Sequence, residues 1–244
     1  MWLGLAEKTV AKADKTEHVY NESRWKLLEE KRKVARQIME TLEASGFQSA
    51  VHGSVARGDV EEDSDVDVLV PQTIPSYQLE LCLTKKGNRL FSRVVTQATP
   101  SHSPKGHIYL DPEEMASVTF PLLKFKRLEY EFYKFGGMVD LEGLHSSVRT
   151  PGVTKRLTLI EPTERGHFES QVIGRESEVA RIVGVSPDIV KERVRVLTRR
   201  DKIGRTGVFL VEHLSEGEQF EEVLKRIIES NPAVRRQYLS RKRP

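Results

Sequence analysis

The stretch VHGSVARGDVEEDSDVDVLV, residues 51–70, constrains this chain more than any other. It passes through a Gly-Ser pair and an Arg-Gly pair, reaches two aspartates one residue apart, and closes on an apolar run. Side chains on a strand alternate between faces, so DVDVLV read as a strand sets Asp65 and Asp67 on one face. Val66, Val68 and Val70 fall on the other and anchor the strand. Two carboxylates this close raise each other's proton affinity unless a cation lies between them. A hard divalent ion bound by oxygen ligands supplies that cation. Mg²⁺ is the expected ion, with Mn²⁺ as the alternative, because Mg²⁺ is commonly held by one or two carboxylates together with substrate phosphates.

Gly53 and Ser54 supply the other half of the pattern. A strand that ends at a glycine lets the backbone approach a phosphate closely. A short helix opening at Ser54 turns its first amides outward, where they attract anions. The Ser54 hydroxyl can donate to a phosphate oxygen. Arg57, one turn on, either neutralises charge or positions the loop. A Gly-Ser turn alone is usually just a turn, and an Asp-x-Asp alone is usually a solvated edge. Their joint occurrence in one short window, each with the strand or turn it needs, points to a catalytic site.

GSVARG at 53–58 and SDVDVLV at 64–70 resemble the motif of the DNA polymerase beta-like nucleotidyltransferase superfamily. The resemblance covers roughly residues 25–111. It implies a small mixed sheet with flanking helices, and transfer of a nucleoside monophosphate from an NTP to a hydroxyl or phosphate; apart from the resemblance, ATP is the expected NTP. By that resemblance Gly53 and Ser54 hold the triphosphate, and Asp65 and Asp67 bind Mg²⁺. The family usually adds a third carboxylate on a neighbouring strand to deprotonate the incoming hydroxyl. Asp111, at the end of GHIYLD, is the candidate; capping the turn that follows it is an equal alternative, and Asp140 is the rival. The whole chain is also similar to an archaeal group in which such a domain precedes a winged helix.

The rest of the chain reads as follows. Residues 21–45 form a helix by apolar spacing, with Trp25, Leu28, Val34, Ile38 and Leu42 on one stripe, a start at Asn21–Ser23 and a stop at Gly46. A helix is expected over 76–92 and strands over 93–99 and 106–111, while 117–141 is ambiguous. Residues 143–174 are rich in turn residues and charge and read as a connector, with one strand at RLTLIEP; Arg149, Lys155 and Arg156 would bring positive charge near the cleft. From 175 the order is helix, turn, helix, then a hairpin bracketed by Gly204 and Gly207 before VFLV, as in a winged helix-turn-helix. A last helix spans 216–229, followed by a basic tail.

The expected class is therefore α+β: a nucleotidyltransferase domain over 1–142, the connector over 143–174, and a winged helix over 175–244. Lys191, Arg195, Arg199, Arg200 and Arg205 are the candidates for nucleic-acid contact, since basic residues there would neutralise phosphates. The alternative is a DNA-binding regulator whose first domain senses nucleotide and is catalytically weak. The acceptor, base preference and oligomeric state stay open.

Composition excludes several other classes. With 39 Lys and Arg against 36 Asp and Glu, net charge is only +3, so any basic surface must be local. The single cysteine, Cys82, rules out an intrachain disulfide and a Cys-based zinc site, and fits a reducing compartment. No His/Glu spacing suggests zinc. No apolar run approaches a membrane span, and the N-terminus lacks a signal-peptide pattern, so a cytoplasmic location is expected.

Overall fold

The computed structural model describes residue 9, residues 15–85, residue 87, residues 89–204 and residues 207–242, without the side chains of 241 and 242. They build two sheets and two apolar cores. The larger sheet is mixed and seven-stranded. Its strands are β2 (Ala50–His52), β3 (Val66–Leu69), β4 (Ser92–Gln97), β5 (Lys105–Tyr109), β6 (Ala116–Pro121), β7 (Met138–Asp140) and β11 (Leu210–His213), in the order β11-β4-β5-β6-β3-β2-β7. Only β3 and β6 run parallel; the other neighbours are antiparallel.

One face of this sheet is apolar. Val51, Val66, Val68, Val95, Ile108, Val118 and Phe120 are buried against helices, among them α1 (Glu22–Glu43) and α3 (Ser76–Lys85). Helix α1 begins where expected, with the Asn21 side chain accepting from the Arg24 amide at 2.9 Å. Its buried stripe is Leu28, Ala35, Ile38, Met39 and Leu42, while Val34 is exposed. Val34 lies one residue off the stripe, and Ala35 takes the place expected for it.

The smaller sheet has the order β1-β10-β9-β8, all antiparallel, from β1 (Thr16–Val19), β8 (Gly152–Val153), β9 (Thr158–Thr163) and β10 (Gly166–Gln171). The residues expected as a connector thus supply three of its four strands. The ambiguous stretch 117–141 resolves into β6, helix α4 (Arg127–Phe135) and β7. Helix α4 joins the second core, where Phe135, Val153, Leu157, Leu159 and Val172 meet Val179, Ile189, Val190 and Leu197.

Those last four belong to α6 (Glu176–Val183) and α7 (Pro187–Ile203), the expected helix-turn-helix. Gly184 closes α6 at φ +72°, and Pro187 opens α7. The expected wing departs from this pair. β11 carries the end of VFLV to the edge of the large sheet, where Leu210 pairs with Gln97 and His213 with Val94. Helix α8 (Phe220–Ser230) then buries Phe220, Val223, Leu224 and Ile227 in the first core. The basic tail forms α9 (Pro232–Lys242). The segment expected as one winged-helix unit is divided between two cores, because β11 pairs with β4 at the edge of the large sheet and α8 buries its apolar face in the first core. No described helix is long and apolar enough to cross a membrane.

Candidate active site

The second face of the large sheet is polar, and the carboxylate pair stands on it. Val66 and Val68 are buried on the apolar side, which leaves Asp67 half-buried on the other. Strand register extends a row across the sheet from Asp67: His52 pairs with it on β2, Ser117 on β6, and Tyr109 on β5 pairs with Ser117. The Ser117 hydroxyl donates to Asp67 Oδ1 at 2.6 Å, which fixes the carboxylate's rotamer.

Asp65 reaches solvent just before β3. Its pKa is raised first by partial burial and then by the charge of Asp67, while Lys155 and Lys31 pull it down. The two acids therefore feel each other, and the nearby cations only partly offset the repulsion. Lys155, from the turn between β8 and β9, supplies its charge from the smaller sheet.

The Gly-Ser turn borders the pair. Antiparallel pairing of His52 with Asp67 carries the following residues, Gly53 and Ser54, toward the level of Val66 and Asp65. Gly53 holds φ +80° and ψ −147°, and its amide donates to the Gly137 carbonyl at 3.0 Å. From there the four-residue helix α2 (Ser54–Arg57) begins. Arg32 of α1, itself buried, braces α2 by donating to the carbonyls of Val55, Ala56 and Val148.

A partly buried polar network continues along the same face of the sheet. His107 Nε2 meets Thr96 Oγ1 at 2.8 Å and its Nδ1 meets Thr119 Oγ1 at 2.9 Å. Burial, then the charge of Lys105, pushes the His107 pKa down to about 4. Lys105 Nζ donates to Tyr133 Oη at 3.0 Å, and the Tyr133 ring meets His52 edge-on at 4.8 Å. Burial likewise lowers the pKa of His52, so the imidazole beside Asp67 is neutral.

Residues 32–115, about a third of the chain, match the family model of the nucleotidyltransferase domain. The chain carries a nucleotidyltransferase domain. The match supports nucleotidyl transfer as its general chemistry. No curated protein matches the chain in a sequence search.

The residues singled out from sequence do not all converge. Gly53, Ser54, Asp65 and Asp67 share one end of the β2–β3 pair. Of the two roles open to Arg57, the geometry gives loop positioning. Its Nε and Nη2 each donate to the Asp59 carboxylate at 2.9 Å, and its Nη1 donates to the Gly136 carbonyl at 2.6 Å. Asp111 lies beyond the end of β5 and accepts from the Met115 and Ala116 amides at 2.8 and 2.6 Å, so it caps the turn. Asp140 caps α5 (Leu141–His145) by accepting from the Gly143 amide. Neither β5 nor β6 contains an acidic residue, and the row beside Asp67 holds Ser117 and Tyr109 in its place.

Ser117 escaped notice in the sequence. It lies in the stretch whose period was ambiguous, and a serine does not announce a metal site. The alternation in SVTF, polar at Ser117 and Thr119 and apolar at Val118 and Phe120, was the available signal.

On α7, Lys191, Arg195 and Arg199 recur every four residues and are exposed, and Arg200 is exposed beside them. Arg205 lies outside the described residues. Arg193, by contrast, is packed over the Phe132 ring at 5.0 Å.

Proposed function

We propose that the chain is a Mg²⁺-dependent nucleotidyltransferase that moves an NMP from an NTP, expected to be ATP, to a nucleic acid or a nucleic-acid-bound partner. One observation carries this reading. Two mutually repelling carboxylates, Asp67 on β3 and Asp65 directly before it, lie beside a glycine turn inside a segment that matches the nucleotidyltransferase family. The donor set fits a hard divalent ion, since it offers carboxylate oxygens and Asp65 has a raised proton affinity that a cation would relieve. Asp65 and Asp67 would hold that ion. When bound, it neutralises phosphate charge and polarises the phosphoryl oxygens.

The chain's own residues then divide the remaining work. Ser117 keeps Asp67 oriented by its hydroxyl donation. Gly53 lets backbone come close to the polyphosphate, and Ser54 donates to it. Lys155 adds positive charge on the exposed side of Asp65, where a triphosphate would meet it. The exposed stripe Lys191, Arg195 and Arg199 with Arg200 would contact acceptor phosphates.

A second reading has its own observation. Because Asp111 is spent on a turn and β5 and β6 lack acids, the domain would sense nucleotide with little turnover and serve a DNA-binding regulator. Incubation with α-labelled NTPs, Mg²⁺ and candidate acceptors separates the two. The enzyme reading expects labelled acceptor with release of pyrophosphate. It is abandoned if no label moves and an Asp65→Asn/Asp67→Asn double variant keeps full nucleotide affinity.

A further inference from the structure

We propose that His18, His167 and Glu169, on the smaller sheet, form a binding site for a borderline divalent ion of the Zn²⁺ class that clamps strand β1 to β10. The inference does not rest on the nucleotidyl-transfer reading.

The placement follows from register. His18 and His167 are directly opposed on β1 and β10, and Glu169 lies two residues along β10 on the same face. One ligand atom from each of the three lies within 4.8 Å of the others. His167 Nε2 is 3.1 Å from Glu169 Oε1, and His18 Nε2 is 3.6 Å from Glu169 Oε2. Ligands about 2.1 Å from a tetrahedral Zn²⁺ stand about 3.4 Å apart, so those two separations already bracket the requirement. The remaining gap, between two rings stacked at 5.0 Å between centroids, closes by a tilt of the half-exposed His18.

The second shell is also in place. Tyr20 Oη lies 2.5 Å from His167 Nδ1, and His167 is buried with 1% of its surface exposed. A ligating imidazole needs its other nitrogen held by such a partner. Without an ion, His167 Nε2–H donates to Glu169 and Nδ1 accepts from Tyr20. With an ion, the proton resides on Nδ1 and is donated to Tyr20 Oη, Nε2 turns its lone pair to the metal, and no net proton is released at His167. Two imidazoles and one carboxylate suit Zn²⁺ and leave a fourth position for water, whereas Mg²⁺ prefers oxygen ligands alone. The Asp65–Asp67 pair and this trio are therefore chemically distinct. β1 is the edge strand of its sheet and leads directly into α1, so an ion here ties the start of α1 to β10.

The test uses the untagged full chain with Asp65→Asn and Asp67→Asn, which silences the carboxylate pair, titrated with Zn²⁺ and separately with Co²⁺. The expected result is one saturable site, the visible absorption of four-coordinate Co²⁺, and a Tm rise of about 5–10 °C at a hundredfold excess over Kd. His18→Ala and Glu169→Gln should each weaken Zn²⁺ binding by about tenfold or more and shrink the Zn²⁺-induced Tm rise measured against each variant's own metal-free Tm. Excess Mg²⁺ should not compete. Should the double variant not fold, wild type saturated with Mg²⁺ serves in its place. Absence of saturable binding, or binding indifferent to both substitutions, would overturn the proposal and leave the trio a hydrogen-bonded cluster.

Discussion

At Gly53 the backbone occupies φ +80° and ψ −147°, a region essentially closed to residues that carry a Cβ. An added Cβ would meet nothing within 4 Å, so the cost of Gly53→Ala is conformational rather than steric. Denaturant titration should show a loss of about 1–3 kcal/mol. His107 makes a second prediction at this scale. Its pKa is near 4 when folded and 6.5 in the unfolded reference, so the unfolded chain binds the extra proton between those values. Stability contributed by the neutral ring is complete above pH 6.5 and is lost as pH falls toward 4, by on the order of 3 kcal/mol. His107→Gln should flatten that part of the stability-versus-pH curve; an unchanged slope would contradict the assignment. The sequence made Asp65 and Asp67 readable because they flank Val66 in one short local segment, Asp67 on β3 and Asp65 directly before it. Asp111 was harder. Its parity with His107 and Tyr109 implied a shared face, but β5 stops at Tyr109, and past a strand's end the alternation no longer says where a side chain points.

Helices α1, α6 and α7 were legible from spacing and capping alone, as with Asn21 and α1 or Gly184 between α6 and α7, whereas α4 lay in the ambiguous stretch and α9 in the expected tail. Pairing partners were not, because a short apolar strand does not name its neighbour. β11 follows a helix-turn-helix and looks like a wing, yet it finds β4 more than a hundred residues earlier. The loop after it is held by Arg93, which donates to the carbonyls of Ser215 and Glu218. Helix α8 docks by similar long-range bonds: Glu221 accepts from the Ser76 amide and hydroxyl, both at 2.7 Å. Phe220 is fully buried against Phe120, with ring centroids 5.0 Å apart, so Phe220→Ala should cost about 3–5 kcal/mol in an equilibrium unfolding measurement. Lys155 brings the smaller sheet's charge to the site of the larger one. Lys155→Ala should weaken NTP binding about threefold to tenfold, roughly 1 kcal/mol, with stability unchanged at this exposed turn.

Across the whole molecule, the residues after α7 are part of the large sheet's architecture rather than an appendage. Residues 210–230 complete the edge of the large sheet and seal its apolar face. A chain ending at residue 204 should therefore lack cooperative unfolding and bind an apolar dye; a well-folded, monodisperse fragment would contradict this. Composition foretold none of that interlocking, since a core shared by distant segments leaves no mark on local patterns. Whether Asp65 and Asp67 hold a divalent ion together with the nucleotide is read out by electron paramagnetic resonance of Mn²⁺ with a non-hydrolysable NTP. A ternary complex is expected in which metal and nucleotide each strengthen the other's binding, and a folded Asp65→Asn/Asp67→Asn variant should abolish it. Nucleotide binding that needs no metal, or that survives intact in that variant, would contradict this expectation.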